Sequence, residues 1–348
     1  MKHVLVVDDS AVVRQAFTML LSRHFTVDTA ADPVIAERKI SKQRPSVIVL
    51  DLLMPRVDGM TFLRQIMRRD PIPVVICSTA ARHGSDTAMR ALEEGAVDVI
   101  LKPAIGVRDF INESALELID SISAAAQARL KSPRKMVVTE KLSADVVLPA
   151  AAPATHVGAA PVVVAIGAST GGTEALRAVI EALPANAPGM VVVQHMPEGF
   201  TAAFAKRLNE TARVEVKEAA DGDAVLPGRV LIAPGSHHVL LRRSGQRYYV
   251  QVTGGPLVSR HRPSVDVLFR SVAQAAGSNA IGVIMTGMGD DGAEGLAEMR
   301  RAGARTIAQD ESTCVVFGMP KEAIAKGAVE EILPLGGIAS ALLRHTSS

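Results

Sequence analysis

Only two cysteines occur in the 348 residues, Cys77 and Cys314, both inside apolar strand-like runs. Two such thiols offer no disulfide framework and no metal spacing, and buried, inert side chains are expected. Charge of one sign is also missing. Lys and Arg number 38 against 36 Asp and Glu, so no strong field argues for nucleic acid or an anionic membrane. No run of 18 apolar residues exists, which removes a helical membrane span. The opening MKHVLVVDDS has four apolar residues before two acids, too few for a signal peptide. A soluble, cytoplasmic protein without membrane insertion is expected.

The length suffices for two domains, each with its own core. From the N-terminus, short β-branched runs (HVLVV, SVIVLD, PVVICS, VDVIL) alternate with helical patterns such as AVVRQAFTMLLSRH and GMTFLRQIMRR. Apolar runs of four to six residues between helices indicate parallel strands covered on both faces. Five βα units ending in a helix over about 109–130 make one doubly wound, flavodoxin-like domain at 1–122. A helix end and an Ala/Pro-rich linker follow at 123–158, where LPAAAPATHVGAAP has neither helical nor strand period. The alternation resumes at 159–348, predicting a second parallel-sheet α/β domain. Residues 228–253 read as an antiparallel hairpin attached to its sheet, turning at Ser244-Gly245.

Asp8 and Asp9 follow the first strand and Asp51 closes the third. With strand order 2-1-3-4-5, the first and third strands are neighbours, and ligands bind at their carboxyl ends. Three carboxylates meeting there repel one another unless a hard divalent cation such as Mg²⁺ joins them. Ser78 ends the fourth strand and Lys102 follows the fifth, so both reach the same rim. A plainer reading makes Asp9 or Ser10 a helix cap, Asp51 a turn former and Lys102 a solvated strand end.

The segments VVDDS, LDLLMPRVDG, ICSTA and LKP resemble the receiver domains of bacterial response regulators over nearly all of 1–120. The resemblance implies that Asp51 accepts a phosphoryl group. It also implies that Asp8, Asp9 and Asp51 hold Mg²⁺, and that Ser78 and Lys102 contact the phosphoryl group. Val99 stands where that family often carries an aromatic switch residue.

In the second half, Gly167-Ala168-Ser169-Thr170-Gly171 lies between strand PVVVAI and helix TEALRAVIEAL, a G-x-S-x-G elbow that exposes Ser169. A serine hydroxyl needs a base, and His195, ending the next strand, emerges at the same edge. The imidazole needs an acceptor, and Asp290 or Asp291 follows another strand, AIGVIMTG. Each has a plainer use: Ser169 or Thr170 as a helix cap, and either aspartate as complement to a helix N-terminus. His237, His238 and His261 compete with His195. Gly287-Met288-Gly289-Asp290-Asp291-Gly292 also spells a dinucleotide fingerprint, with Asp310 about twenty residues on. Two carboxylates at the pyrophosphate position argue against it. A redox enzyme, and a regulator acting by contact without catalysis, are the competing classes. A DNA-binding output is excluded by the lack of a basic recognition helix after the linker.

GASTGGTEAL, VVVQHMPEGFTAAFAKRLN, RPSVDVLF, MTGMGDDGAEGL and TIAQDESTCVVFGMP are similar to the catalytic domain of the chemotaxis protein-glutamate methylesterases. The similarity implies Ser169 as nucleophile, His195 as general base and Asp291, rather than Asp290, as its orienting acid. It further implies methyl-accepting chemoreceptors as substrate, receptor glutamines as a second substrate, and a sensor histidine kinase as phosphodonor. Control by the receiver is implied as well. Backbone N–H groups of Thr170 and Met288 are candidate oxyanion donors. The esterase is expected to need no cofactor, and the chain to be a monomer. Arg242, Arg243, Arg247, Arg260 and Arg262 form a basic group able to meet an acidic receptor, or simply a solvated face.

Overall fold

The computed structural model describes residues 1–54, 59–78, 82–102, 118–128, 141–150 and 161–345. The chain divides into two compact units, Met1–Ser132 and Pro133–Ser348.

In the first unit, β1 (His3–Val7), α1 (Ala11–Leu21), β2 (Thr26–Ala30), α2 (Pro33–Lys42), β3 (Val47–Asp51), α3 (Gly59–Arg69), β4 (Val74–Ser78), α4 (Arg82–Glu93) and β5 (Asp98–Leu101) alternate along the chain. The sheet runs β2-β1-β3-β4-β5 with every pair parallel, the expected order. Strands β3 and β4 are buried at every position, which is why their sequences are continuous apolar runs. Ser10 caps α1, accepting from the Val13 amide at 3.4 Å, and Val13, Phe17 and Leu21 line the buried face at four-residue spacing.

The final helix of this unit, α5, is described over 118–125; the earlier part expected from 109 lies outside the described residues. Leu118, Ile119, Ile122, Ala125 and Ala126 all enter the core with Phe17 and Val49. The expected boundary at 122 therefore cuts through a packed helix face, and the first unit continues beyond it.

The second unit contains β6 (Val163–Ala168), α6 (Gly172–Glu181), β7 (Gly189–Gln194), α7 (Phe200–Thr211), β8 (Glu215–Glu218), β9 (Arg229–Ile232), β10 (His238–Ser244), β11 (Arg247–Thr253), α8 (Val265–Ala275), β12 (Ala280–Ile284), α9 (Ala293–Arg301), β13 (Arg305–Gln309), α10 (Met319–Ala325), β14 (Glu331–Leu333) and α11 (Leu335–Arg344). Its seven-stranded sheet has the order β14-β13-β12-β6-β7-β9-β8. Strand β6 lies between β7 and β12, so the chain reverses its direction of travel across the sheet there, and this is the switch point.

The hairpin expectation needs two corrections. β9 belongs to the parallel sheet, and only β10 and β11 form the antiparallel pair. Ser244 pairs with Arg247, which leaves Gly245-Gln246 as the turn, and Gly245 has φ of 60°.

The linker expectation also needs correction, because residues 141–150 are folded onto the second unit. A short helical turn at Ala144–Val146 buries Ala144 and Leu148 against Leu240, Val258 and Val267. Arg270 of α8 donates to the Asp145 carboxylate at 2.7 Å and to the Leu148 carbonyl at 3.0 Å. The apolar spacing of Ala144, Val147 and Leu148 is one helical turn, too short to stand out between alanines and prolines. We call this segment the strap.

Candidate active site and acidic cluster

Strand register builds the second unit's site. Ala168, the last residue of β6, pairs with Gln194, the last of β7, so Ser169 and His195 leave the sheet side by side. The His195 amide donates to the Ala168 carbonyl at 3.0 Å. On the other flank, the Ser169 amide donates to the Thr286 carbonyl beyond β12 at 3.0 Å. Gly171 adopts φ of 77° and is itself the N-cap of α6, without a side-chain cap bond, so Ser169 does not stand at the cap position. Ser169 remains partly exposed. Gly287 lies against it, since a Cβ there would fall 2.7 Å from the Ser169 Cβ; Met288 follows directly.

Asp291 comes from the turn after β12, is 1% exposed, and lies with Oδ2 2.8 Å from His195 Nε2. The same carboxylate accepts from Ser264 Oγ at 2.8 Å, the Val265 amide at 2.7 Å and the Asp266 amide at 3.0 Å, the first groups of α8. Asp291 thus meets the N-terminus of α8 and hydrogen-bonds His195 at once. Burial opposes charge on Asp291. The hydrogen bond and charge of His195, the nearby His261 and the backbone donors outweigh it and hold the carboxyl below the usual range. An ionised carboxylate only accepts, so His195 Nε2 carries the proton and Nδ1 keeps the lone pair. That Nδ1 is buried without a hydrogen-bond partner. Asp290 is placed elsewhere, paired with Lys141 of the strap at 2.5 Å.

Three further residues shape this site without a motif in the sequence to mark them. Gln194 donates to both the Ser169 and His195 carbonyls, at 2.9 and 3.0 Å, tying the two turns together. A Cβ on Gly172 would come within 2.1 Å of the Gln194 amide oxygen, so glycine is required there. Ser264 caps α8 and holds Asp291; the pattern SVDVLF signals a capped helix but not the strand turn its N-terminus faces. Asp266 is buried beside Asp291, accepting from the Gly295 amide at 2.7 Å. Burial first, and then the charge of Asp291, push its carboxyl above the usual range. The folded chain therefore holds this proton to higher pH than the unfolded chain, and stability falls as pH rises above the ordinary carboxylate value. Asp266→Asn mimics the protonated acid. The variant is expected to melt close to the parent near pH ~5 and roughly 2–4 °C above it near pH ~9, read by thermal scans. A constant difference across that range would contradict the assignment.

Of the rival histidines, His238 is fully buried, with Nε2 2.9 Å from the Pro256 carbonyl; it is structural. His237 Nδ1 lies 3.4 Å from the Gly235 carbonyl. The ring of His261 stacks on His195 with centroids 3.7 Å apart and planes 5° from parallel. His195, His261 and Asp291 are close enough to be weighed as a cation site. Parallel stacked rings, however, direct their in-plane lone pairs along separate planes, and Asp291 already has four donors. The G-x-G-x-x-G segment carries no dinucleotide geometry: at the start of α9, where a pyrophosphate would need donors, the Gly295 amide is already taken by the buried Asp266 carboxylate. Within the basic group, Arg242 donates to Gln251 at 2.8 Å and Arg262 to the Gly255 carbonyl at 2.5 Å, so these two have structural employment.

In the first unit, Asp8 and Asp51 are each 1% exposed while Asp9 is exposed. Lys102 Nζ lies 2.7 Å from Asp51 Oδ2 and 3.0 Å from Asp8 Oδ2. Backbone amides of Ser10 and Leu53 donate to Asp8 Oδ1 and Asp51 Oδ1, at 2.8 and 3.0 Å. Asp51 thus forms its turn and joins the cluster at once. Burial raises Asp8 above the usual carboxylate range despite Lys102. Oxygens of Asp8, Asp9 and Asp51 lie within 4.8 Å of one another, and the one ammonium facing the two buried carboxylates, that of Lys102, is shared between Asp8 Oδ2 and Asp51 Oδ2. An all-oxygen set of three carboxylates drawn together suits a hard divalent cation. Ser78 is buried at the end of β4, and Val99 is buried in β5. Cys77, behind the cluster, has its thiol pushed up by burial, as an inert thiol should.

An acid-lined five-stranded α/β unit, joined to a seven-stranded one with serine, histidine and aspartate at its switch point, defines a two-domain α/β protein of the response-regulator class. Residues 4–112 match the response regulator receiver domain and 164–342 the CheB methylesterase domain. The protein-glutamate methylesterase/protein-glutamine glutaminase 3 of Geobacter metallireducens is 57% identical, covering 98% of each chain. Number 2 of Rhodospirillum rubrum is 59% identical, again over 98% of each. The Thermotoga maritima CheB methylesterase catalytic domain superposes with a TM-score of 0.52 at 42% identity, over 53% of this chain and 98% of that one. The chain belongs to the protein-glutamate methylesterase/protein-glutamine glutaminase family.

Proposed function

We propose that the second unit hydrolyses the methyl esters of glutamyl side chains on chemoreceptors, and deamidates receptor glutamines, under control of phosphorylation at Asp51. The observation that carries the catalytic part is the His195–Asp291 pair beside Ser169 at the switch point of the sheet. Ser169 Oγ attacks the ester carbonyl while His195 Nδ1 takes its proton. His195 then passes that proton to the departing methoxide, giving methanol, and water releases the glutamate by the reverse sequence. With glutamine the leaving group is ammonia. Amides of Thr170 and Met288, on the turns flanking Ser169, serve as oxyanion donors. The esterase uses no cofactor.

In the first unit Asp8, Asp9 and Asp51 would hold Mg²⁺, which lowers the repulsion met by an incoming phosphoryl group. Lys102 and Ser78 contact that group, and Asp51 accepts it from a sensor histidine kinase. The protein works as a cytoplasmic monomer; among the described residues no helix is long and apolar enough to cross a membrane.

Methanol release from methylated receptor membranes, with and without a small phosphodonor, tests both parts. Phosphodonor is expected to raise release, and EDTA to remove that rise while sparing the basal rate. Deleting residues 1–132, which leaves the strap in place, is expected to raise the basal rate. A lower or unchanged basal rate would argue against restraint by the receiver.

A further inference from the structure

His195 is held at one edge by Asp291 and covered on one face by His261. The first contact fixes the tautomer, but an imidazole hinged on a single hydrogen bond still rocks about its Cβ–Cγ bond. The parallel ring at 3.7 Å removes that freedom. His261 is itself tightly set. Its Nδ1 lies 2.8 Å from the Ser259 carbonyl, an acceptor only, so Nδ1 carries the proton. The His261 and Val258 backbones exchange hydrogen bonds at 2.8 and 3.1 Å. The chain reaches this position through two consecutive non-glycine residues with positive φ, Ser259 at 48° and Arg260 at 71°. Such backbone is costly and persists where the surroundings impose it. Ser259 is pinned by its Oγ, 3.3 Å from Asp266 Oδ2, and by its amide, which donates to the Leu142 carbonyl at 2.9 Å. Burial and the neighbouring His195 keep His261 neutral far below its ordinary value. A neutral ring presents a π face able to accept a cation beside it.

Resting on the Ser169–His195–Asp291 reading, we propose that His261 is the positioning residue of the esterase reaction. It holds the His195 ring by stacking, so that Nδ1 stays presented to Ser169, and it offers a neutral face when His195 becomes imidazolium. No proton passes through His261. The flat aromatic face matters and the imidazole nitrogens do not.

Two substitutions separate these elements. His261→Phe keeps the face and loses the nitrogens; His261→Asn keeps a donor near the Nδ1 position and loses the face. kcat and KM for methanol release are measured for each, with thermal scans. For His261→Asn, kcat is expected to fall about thirty-fold with KM changed by less than about twofold, as for a misplaced general base. His261→Phe is expected to recover most of that loss. If the melting temperature of His261→Asn drops, His261→Leu replaces it as an apolar cover without a flat face. Unchanged kcat in the face-lacking variant overturns the proposal. So does recovery by phenylalanine of less than half the loss on a logarithmic scale, or a loss that lies in KM. Labelling of Ser169 in the parent protein by a fluorophosphonate is run alongside. Failure of that labelling, with release surviving in Ser169→Ala, would instead overturn the triad itself, whatever the His261 variants do.

Discussion

Replacing Ser169 by alanine is expected to cut methanol release from methylated receptors by about four to six orders of magnitude. The fold should not suffer. Ser169 binds its neighbours through backbone groups, its amide to Thr286 and its carbonyl to Gln194, and alanine keeps both. A residual rate over water is expected from the oxyanion donors and substrate binding, about a thousand-fold or somewhat more. Phosphorylation of Asp51 should proceed as in the parent, since it depends on the other unit's own residues. Intact phosphorylation with lost release would separate the two chemistries in one variant. Undiminished methanol release would sink the nucleophile assignment.

Asp291→Asn should be the second most damaging change, and in two ways at once. The amide can present its NH₂ to His195 and stabilise the wrong tautomer, with a loss of about 10³–10⁴ in kcat. Turning the amide over does not help. Each oxygen of Asp291 faces an α8 amide, Oδ2 facing Val265 and Oδ1 facing Asp266, so either orientation sets an NH₂ against a buried N–H. Leaving that donor unpaired costs about 1–3 kcal/mol, visible as a lower melting temperature. The destabilisation should be largest near neutral pH. Asp291 ionises at lower pH folded than unfolded, so its contribution is present above the ordinary carboxylate value and fades as pH falls through the folded one. A variant that keeps its melting temperature while losing kcat would mean that the helix terminus is satisfied by other groups.

Much of this was readable from residues alone because the functional groups end strands. Asp51 closes β3, and Ser169 and His195 follow β6 and β7 at once, so the rules for open α/β sheets place them without any knowledge of side-chain direction. The order of the first sheet followed from the same pattern. Asp290 and Asp291 defeated this kind of reasoning. Adjacent residues in a glycine turn point in directions set by the turn, which buries Asp291 against α8 and leaves Asp290 beside Lys141. Strand β8, with sequence EVKE, lies at a sheet edge and carries too little apolar character to signal itself. The strap failed for another reason. Its ion-pair partner Arg270 is 125 residues away in sequence, and nothing local marks the pairing. The stacked His261 combines both difficulties, being a lone histidine in a loop whose conformation no residue preference indicates.

Helix α8 holds both the strap and Asp291. Its first turn holds Asp291, and one and a half turns further on Arg270 grips Asp145 and the Leu148 carbonyl. The strap reaches the site a second time through Leu142, whose carbonyl takes the Ser259 amide of the loop carrying His261. In mechanical terms the strap is welded to the two parts that hold Asp291 and His261, the neighbours of His195. Tension arriving along the chain from the receiver side would meet α8 and the 258–261 loop before it met β6 or the serine. Hydrogen exchange at the first amides of α8 would therefore sense the state of the linker even where access to Ser169 had not changed.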